Sequence, residues 1–353
     1  MNILEMLQSV ITSRGSDLHL IAGIVPMQRI DGELQPILGE HQLTSDAVQQ
    51  SLFQIMSEEQ KELFISNKEL DFSYALEDKA RFRVNAYYQK GSASAAFRLI
   101  PMKIPAIPDL NLPDICHAFS NLKQGFVLVT GPTGHGKSTT LAAMINEINR
   151  TRKSHIVTIE DPIEYVFSPA LSIVSQREMH LDTHSWDMAL RSVLREDPDV
   201  VLVGEMRDFE TIQAALTVAE TGHLVFATLH TNSASQTIDR IVGVFPDVQQ
   251  QQIRHQLATT LEGVISQRLI PMQSGGRIPA VEILTGIPSI KTVIREGKSH
   301  LIDNIIQTSG EFGMITIDRS LARLVVSGKV DKEIALTYAL NPDDFMTFLR
   351  EKK

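Results

Sequence analysis

The chain has one cysteine, Cys116, in 353 residues. An internal disulfide is therefore impossible, and no Cys/His cluster offers a zinc site, which fits a reducing compartment. Basic residues are also short: 33 Lys and Arg stand against 42 Asp and Glu, a formal net charge of −9. A protein that grips nucleic acid usually carries a basic excess, so DNA and RNA are not expected partners. The opening stretch MNILEMLQSVITSRG lacks the basic start and long apolar run of a signal peptide. No apolar run approaches the length of a membrane span. No G-x-S-x-G elbow is present, which removes the commonest serine hydrolase signature. The reading is a cytoplasmic protein, 43% apolar, long enough for two or three domains.

What is present centres on Gly131-Pro-Thr-Gly-His-Gly-Lys-Ser138, a complete G-x-x-x-x-G-K-[ST] phosphate loop. Its flanks agree with the motif. Phe126 to Thr130 is a short apolar run of strand type, and Leu141, Ala142, Ile145 and Ile148 recur at helical spacing. Glycines let main chain wrap a phosphate, and the N–H groups of the loop and helix start favour its charge. Gly131, Thr133, Gly134, His135, Gly136, Lys137, Ser138 and Thr139 are the candidate nucleotide ligands. Lys137 would reach the β- and γ-phosphates, and the Ser138 hydroxyl would hold Mg²⁺.

Downstream, strand-like runs alternate with helical patterns, the signature of a largely parallel sheet flanked by helices. Ile156 to Ile159 ends in Glu160-Asp-Pro-Ile-Glu164, and Pro162 places the acids just past the strand. Val200 to Val203 ends in Gly204-Glu205, like a Walker B strand with a glycine before its acid. His223 precedes the run Leu224 to Thr228, which leads into His230. Strand C-termini are where open α/β sheets bind ligands. Glu205 can hold a metal-bound water, and Glu160 and Glu164 can serve the attacking water, or both can be ordinary turn acids. His230 is either structural or an imidazole that hydrogen-bonds the γ-phosphate. Asp247 to Arg268 reads as one long helix with Ile253, Leu257, Leu261, Val264 and Ile265 inward.

Before the loop, Asp31-Gly32 marks a hairpin and Ser57-Glu-Glu-Gln60 a capping box. Arg81, Arg83 and Asn85 alternate with apolar residues, as do Ser94 and Arg98 with Ala93, Ala95, Phe97 and Leu99. Period two puts the arginines on the face opposite the apolar one. That face is either simply solvated or able to reach a nucleotide phosphate. Pro101, Pro105, Pro108 and Pro113 make 101–113 a semi-rigid linker. The expected division is an N-terminal domain at 1–100, that linker, a core at 114–280 and small packed helices at 281–353. Among those helices, Asp318 and Asp331 are the expected leading residues.

Four of these motifs carry a family. Ile159 to Glu164 resembles the Asp box of the type II/type IV secretion ATPases, and Val203 to Asp208 their Walker B region. Ala219 to His223 with Thr228 to Asn232 resembles their His box. Gly15-Ser-Asp-Leu-His19 and Arg81-Phe-Arg-Val-Asn85 extend the likeness over nearly the whole chain. Within the family the chain is most similar to the type IV pilus retraction ATPases; one cysteine cannot build the tetracysteine zinc site usual in assembly ATPases.

The resemblance implies an α/β architecture: an N-terminal PAS-like α+β domain, then a RecA-like core with C-terminal helices. It implies a homo-hexameric, Mg²⁺-dependent ATPase that powers pilus depolymerisation and twitching motility. It places the protein at the cytoplasmic face of the inner membrane, on an inner-membrane pilus platform protein and beside a paralogous accessory ATPase. Arg83 and Arg98, with Arg81, would help bind phosphates; Glu164, with Glu160 beside it, would prepare the water; His223 would join the nucleotide site. Two departures stand out. His135 replaces the usual serine, where mainly the backbone is expected to act. Ser289 to Glu296 replaces the retraction motif AIRNLIRE, keeping its apolar stripe and basic side with half the letters changed. The alternatives are a pilus-extension or type II secretion assembly ATPase, a nucleotide-switched scaffold, and a RecA-like DNA motor.

Overall fold

The computed structural model describes residues 2–30, 32–77, 80–100 and 103–351. These form two compact units, Met1–Lys103 with Pro162–Val166, and Ile104–Asp161 with Phe167–Lys353.

The first unit runs α1 (Ile3–Thr12), β1 (Asp17–Ile21), β2 (Met27–Ile30), β3 (Glu33–Pro36), α2 (Ser45–Ile55), α3 (Glu58–Asn67), β4 (Glu69–Leu76), β5 (Ala80–Gln89) and β6 (Ser92–Ile100). Its strands pair in the order β3-β2-β1-β6-β5-β4, antiparallel throughout. Alternation sorts the sheet as the sequence predicts. Phe82, Val84, Ala86, Ala93, Ala95 and Phe97 enter a core with Leu7, Val48 and Leu52 of the helices. Arg83 and Arg98 are direct cross-strand partners on the other face. Ser57 and Gln60 close the expected capping box on α3. The β2–β3 hairpin is present, with Gly32 at φ +88°; Asp31 lies outside the described residues, as does Pro101 of the linker.

The second unit continues α4 (Ile115–Ser120), β7 (Gly125–Thr130), α5 (Lys137–Thr151), β8 (His155–Glu160), β9 (Ile173–Glu178), α6 (Trp186–Val193), β10 (Val200–Val203), α7 (Phe209–Glu220), β11 (Leu224–Leu229), α8 (Ala234–Gly243), α9 (Asp247–Thr260), β12 (Leu261–Pro271) and β13 (Arg277–Thr285). It ends with α10 (Pro288–Arg295), α11 (Ile302–Thr308), α12 (Ile317–Val326), α13 (Lys332–Tyr338) and α14 (Pro342–Arg350). The sheet order is β13-β12-β7-β11-β10-β8-β9, parallel except for the β12–β13 pair. β7, β10 and β11 are buried along their whole length, so their apolar runs are continuous rather than alternating.

One long element divides. The helix expected over 247–268 stops at Thr260, and Leu261 begins β12. Apolar residues at 257, 261, 264 and 265 suit a helix stripe. They also suit a strand buried on both faces, and β12 lies between β7 and β13. Gly263 lets β12 pack against Phe119, whose ring lies 2.2 Å from where a Cβ would stand.

The expected boundary at 280 falls inside β13. Ile290, Val293, Ile294, Ile302 and Ile306 of α10 and α11 join the main core. α12 to α14 pack with Ile270, Ile278 and Ala280 of the β12–β13 ribbon. On α10, Lys291 is occupied by Glu262 at 2.9 Å while Arg295 stays exposed. Thr316, not Asp318, caps α12; Asp318 is buried and accepts from the Leu340 and Asn341 N–H groups. Asp331 precedes α13 without a capping bond from its side chain.

Glu282, buried on β13, accepts a 2.7 Å hydrogen bond from the Ala234 N–H that opens α8. Burial pushes its carboxyl up to about 7, against the Ala234 bond and with Asp303 and Asp318 adding. A folded-state value above the ordinary carboxylate range means stability present in acid is lost as pH rises through about 7. Glu282→Gln keeps an acceptor without the charge. Its melting temperature is expected to match wild type at pH 5 and exceed it at pH 8, by the equivalent of up to about 3 kcal/mol.

Candidate active site

β7 delivers the chain into the glycine loop, and α5 begins at Lys137 with Gly136 as its N-cap. That cap supplies no side-chain acceptor, so the first-turn N–H groups suit an anion. Gly131, at φ +138°, must be glycine because the Gln267 carbonyl oxygen lies 2.2 Å from the place of a Cβ. Gly134, at φ +77°, faces open space. Lys137 is buried, 8% exposed, and its ammonium donates to Gly131 O at 2.9 Å and Pro132 O at 3.0 Å.

The parallel register sets the other groups. Leu229 pairs with Thr130, Val203 with Ala227 and with Ile159, so the chain leaves β7, β11, β10 and β8 along one sheet edge. His230 follows β11, and its Nε2 lies 3.1 Å from Glu205 Oε1. An ionised carboxylate only accepts, so Nε2 carries the proton. Nδ1 then turns its lone pair to Lys137 Nζ and Thr133 Oγ1, each 3.4 Å away. Burial raises the Glu205 carboxyl, but the Arg207 hydrogen bond at 2.8 Å and the Arg207 and Lys137 charges bring it below the usual range. Gly204 before it has a cause: a Cβ would stand 3.2 Å from the Glu160 Cα and the Ile159 carbonyl.

Glu160 is buried at the end of β8, where Thr158 Oγ1 donates to it at 2.7 Å and Gln176 Nε2 at 3.3 Å. Glu164 is exposed and belongs to the compact unit of the N-terminal sheet, as do Arg81, Arg83 and Arg98. Within that unit Arg98 Nε meets Asp17 at 3.0 Å, Arg83 meets Asp71 at 2.7 Å, and Arg81 donates to Ser73 at 2.7 Å.

His223 requires a correction. It precedes β11, and that six-residue strand sets it about 20 Å from the loop end of the sheet. Its Nδ1 serves Val218 O and Thr221 Oγ1, each at 3.0 Å, at the end of α7. Within one subunit His223 is not part of the phosphate site.

His135 also differs from expectation. Its ring acts as well as its backbone, Nδ1 accepting from the Leu269 N–H at 2.9 Å. Burial, then Arg277, Arg268 and Lys137, hold its imidazole below the ordinary value, which favours the neutral form that can accept. Sequence patterns give no hint of β12 in the site: a glutamine inside a buried strand carries no motif.

For a metal, no group of three or more His, Cys, Asp or Glu exists among the described residues. One hydroxyl, Ser138, and one carboxylate, Glu205, suit a hard cation that brings waters and phosphate oxygens with it, as Mg²⁺ does.

The chain matches the family model "Type II/IV secretion system protein" over residues 2–276. It is 48% identical over 345 residues to the type IV pilus retraction ATPase PilT of Pseudomonas aeruginosa, covering 98% of this chain and 100% of that protein. It is 45% identical to a twitching motility protein of Neisseria gonorrhoeae, covering 97% of this chain and 91% of that one. Its structure resembles a crystal structure of the pilus retraction motor PilT with bound ADP, at TM-score 0.91 and 45% identity over 98% of each chain.

Proposed function

The chain belongs to the type II/IV secretion system protein family and is a pilus retraction ATPase, and we propose that it works as a ring of six subunits binding ATP at the glycine loop. The observation that carries the reading is the Lys137 ammonium in its glycine loop, facing the His230–Glu205 pair at one sheet edge.

In this reading the loop and α5 N–H groups receive the phosphates, and Lys137 turns from the Gly131 and Pro132 carbonyls to the β- and γ-phosphate oxygens. His230 presents a lone pair to Lys137, and a phosphate oxygen is also an acceptor. Contact with the γ-phosphate therefore needs a proton on Nδ1, and Glu205 at Nε2 stabilises the resulting imidazolium. Mg²⁺ at the Ser138 hydroxyl and, through water, at Glu205 would neutralise phosphate charge. Glu164 takes the proton of the attacking water. Glu160, fixed between Thr158 and Gln176, sets the strand end from which that turn departs. Arg83 and Arg98, with Arg81, would supply positive charge to the phosphates.

The partners in this reading are an inner-membrane pilus platform protein and a paralogous accessory ATPase, met at the cytoplasmic face. Among the described residues no helix is long and apolar enough to cross a membrane. Steady-state phosphate release tests the chemistry: Glu164→Gln should bind ATP normally and turn over about 10²-fold or more slower than wild type. Equal rates would remove Glu164 from the mechanism. A deletion strain tests the direction of work. Pili that form and never shorten fit a retraction motor; a bald cell favours the assembly reading.

A further inference from the structure

We propose that Gln267 of β12 is a positioning residue for the phosphate loop, an inference that rests on the ATPase reading above. Gln267 is 3% exposed, in a strand otherwise dominated by apolar neighbours. A buried amide costs free energy unless both ends are bonded. Both ends are, and both partners bracket Lys137. Nε2 donates to the His135 carbonyl at 2.8 Å, and Oε1 accepts from Thr140 Oγ1 at 2.7 Å. The main chain beside it completes the hold. The Gln267 carbonyl packs where Gly131 would carry a Cβ, and the Leu269 N–H donates to the His135 ring at 2.9 Å. One residue earlier, Ser266 Oγ and Thr130 Oγ1 lie 2.8 Å apart. β12 therefore braces the loop at its entry, its middle and the first turn of α5.

The consequence is geometric. The loop must aim several N–H groups and one ammonium at the same phosphate, and displacement of reacting parts by about 1 Å can cost 10²-fold in rate. Gln267 touches no phosphate in this scheme. It acts by fixing His135 and Thr140, so the N–H groups between them are set before nucleotide arrives.

The experiment uses the full chain and two variants, with mant-ATP titration, kcat and KM for ATP, and melting temperature measured on each. Gln267→Met removes both bonds at nearly constant volume, and Thr140→Val removes only the hydroxyl that orients the amide. The expected result is mant-ATP affinity weakened about tenfold or more in Gln267→Met, with KM rising in parallel. Thr140→Val should shift both in the same direction by less. A purely structural glutamine would lower the melting temperature and leave affinity and KM within about twofold of wild type, which overturns the proposal. If Gln267→Met does not fold, unchanged KM in a folded Thr140→Val overturns it alone. Failure of wild type to bind mant-ATP would instead sink the ATPase reading.

Discussion

Lys137→Met is expected to abolish turnover, lowering kcat by on the order of 10²–10³ or more, while the protein melts at or above the wild-type temperature. The two halves have one cause. The ammonium is buried and held by two main-chain carbonyls. Taking a charge from water is expensive, and the carbonyls, together with the Glu205 charge and the His230 ring, offset that cost only in part. A methionine of similar length removes the buried charge and fills the same space, so the nucleotide-free fold loses little. The chemistry loses the donor that meets charge developing on the transferred phosphoryl group, and one such preorganised donor is worth about 10²–10³ in rate. Lys137→Arg should rescue poorly, because a planar fork does not replace a point charge in a tight loop. Phosphate release and a thermal melt on the same preparation decide the matter. A large fall in melting temperature with turnover preserved would mean that the lysine is a structural brace.

The glycine loop and the arginine face were legible because each rests on local rules: a fixed motif between strand and helix, and an alternation of period two. β4 carries the same alternation in Leu70, Phe72, Tyr74 and Leu76, but Glu69 and Asp71 give its start the look of a polar loop. The α9–β12 junction was not legible. Residues 263–267 are buried on both faces, and burial on both faces erases the period that separates helix from strand. The same effect hid Gln267, whose role exists only once β12 lies beside β7. His223 and His230 look equivalent as paired histidines in sequence. The length of β11 separates them, and only His230 reaches the edge where Glu205 and the loop end.

Arg98→Ala carries the other large expected effect, and it separates two readings of the arginine face by magnitude. Arg83 and Arg98 stand directly opposite each other on β5 and β6. Like charges in that relation destabilise a sheet unless each has an anion. Asp71 serves Arg83, and Asp17 serves Arg98 at 3.0 Å with Arg29 at 3.8 Å. Burial raises the Asp17 carboxyl, but the Ser16 bond, the Arg98 bond and charge, and His19 bring it below its ordinary value, so it stays ionised as the anchor. If these pairs only satisfy a solvated face, they are exposed ion pairs, with the side chains of Arg98 and Arg83 76% and 43% exposed. Such pairs contribute about 0–1 kcal/mol, so alanine would shift the melting temperature slightly and leave kcat alone. If the guanidinium groups meet transition-state phosphate, the loss is about 10³–10⁵ in kcat, or roughly 4–7 kcal/mol of barrier. The two outcomes do not overlap. Arg98→Lys should fall near alanine, and Asp17→Asn should lose less, since it removes the anchor and leaves the charge. A kcat within about threefold of wild type in both Arg83→Ala and Arg98→Ala would confine the pair to the ordinary range of surface salt bridges. Nucleotide chemistry would then proceed without the arginine face, and that face would need another role.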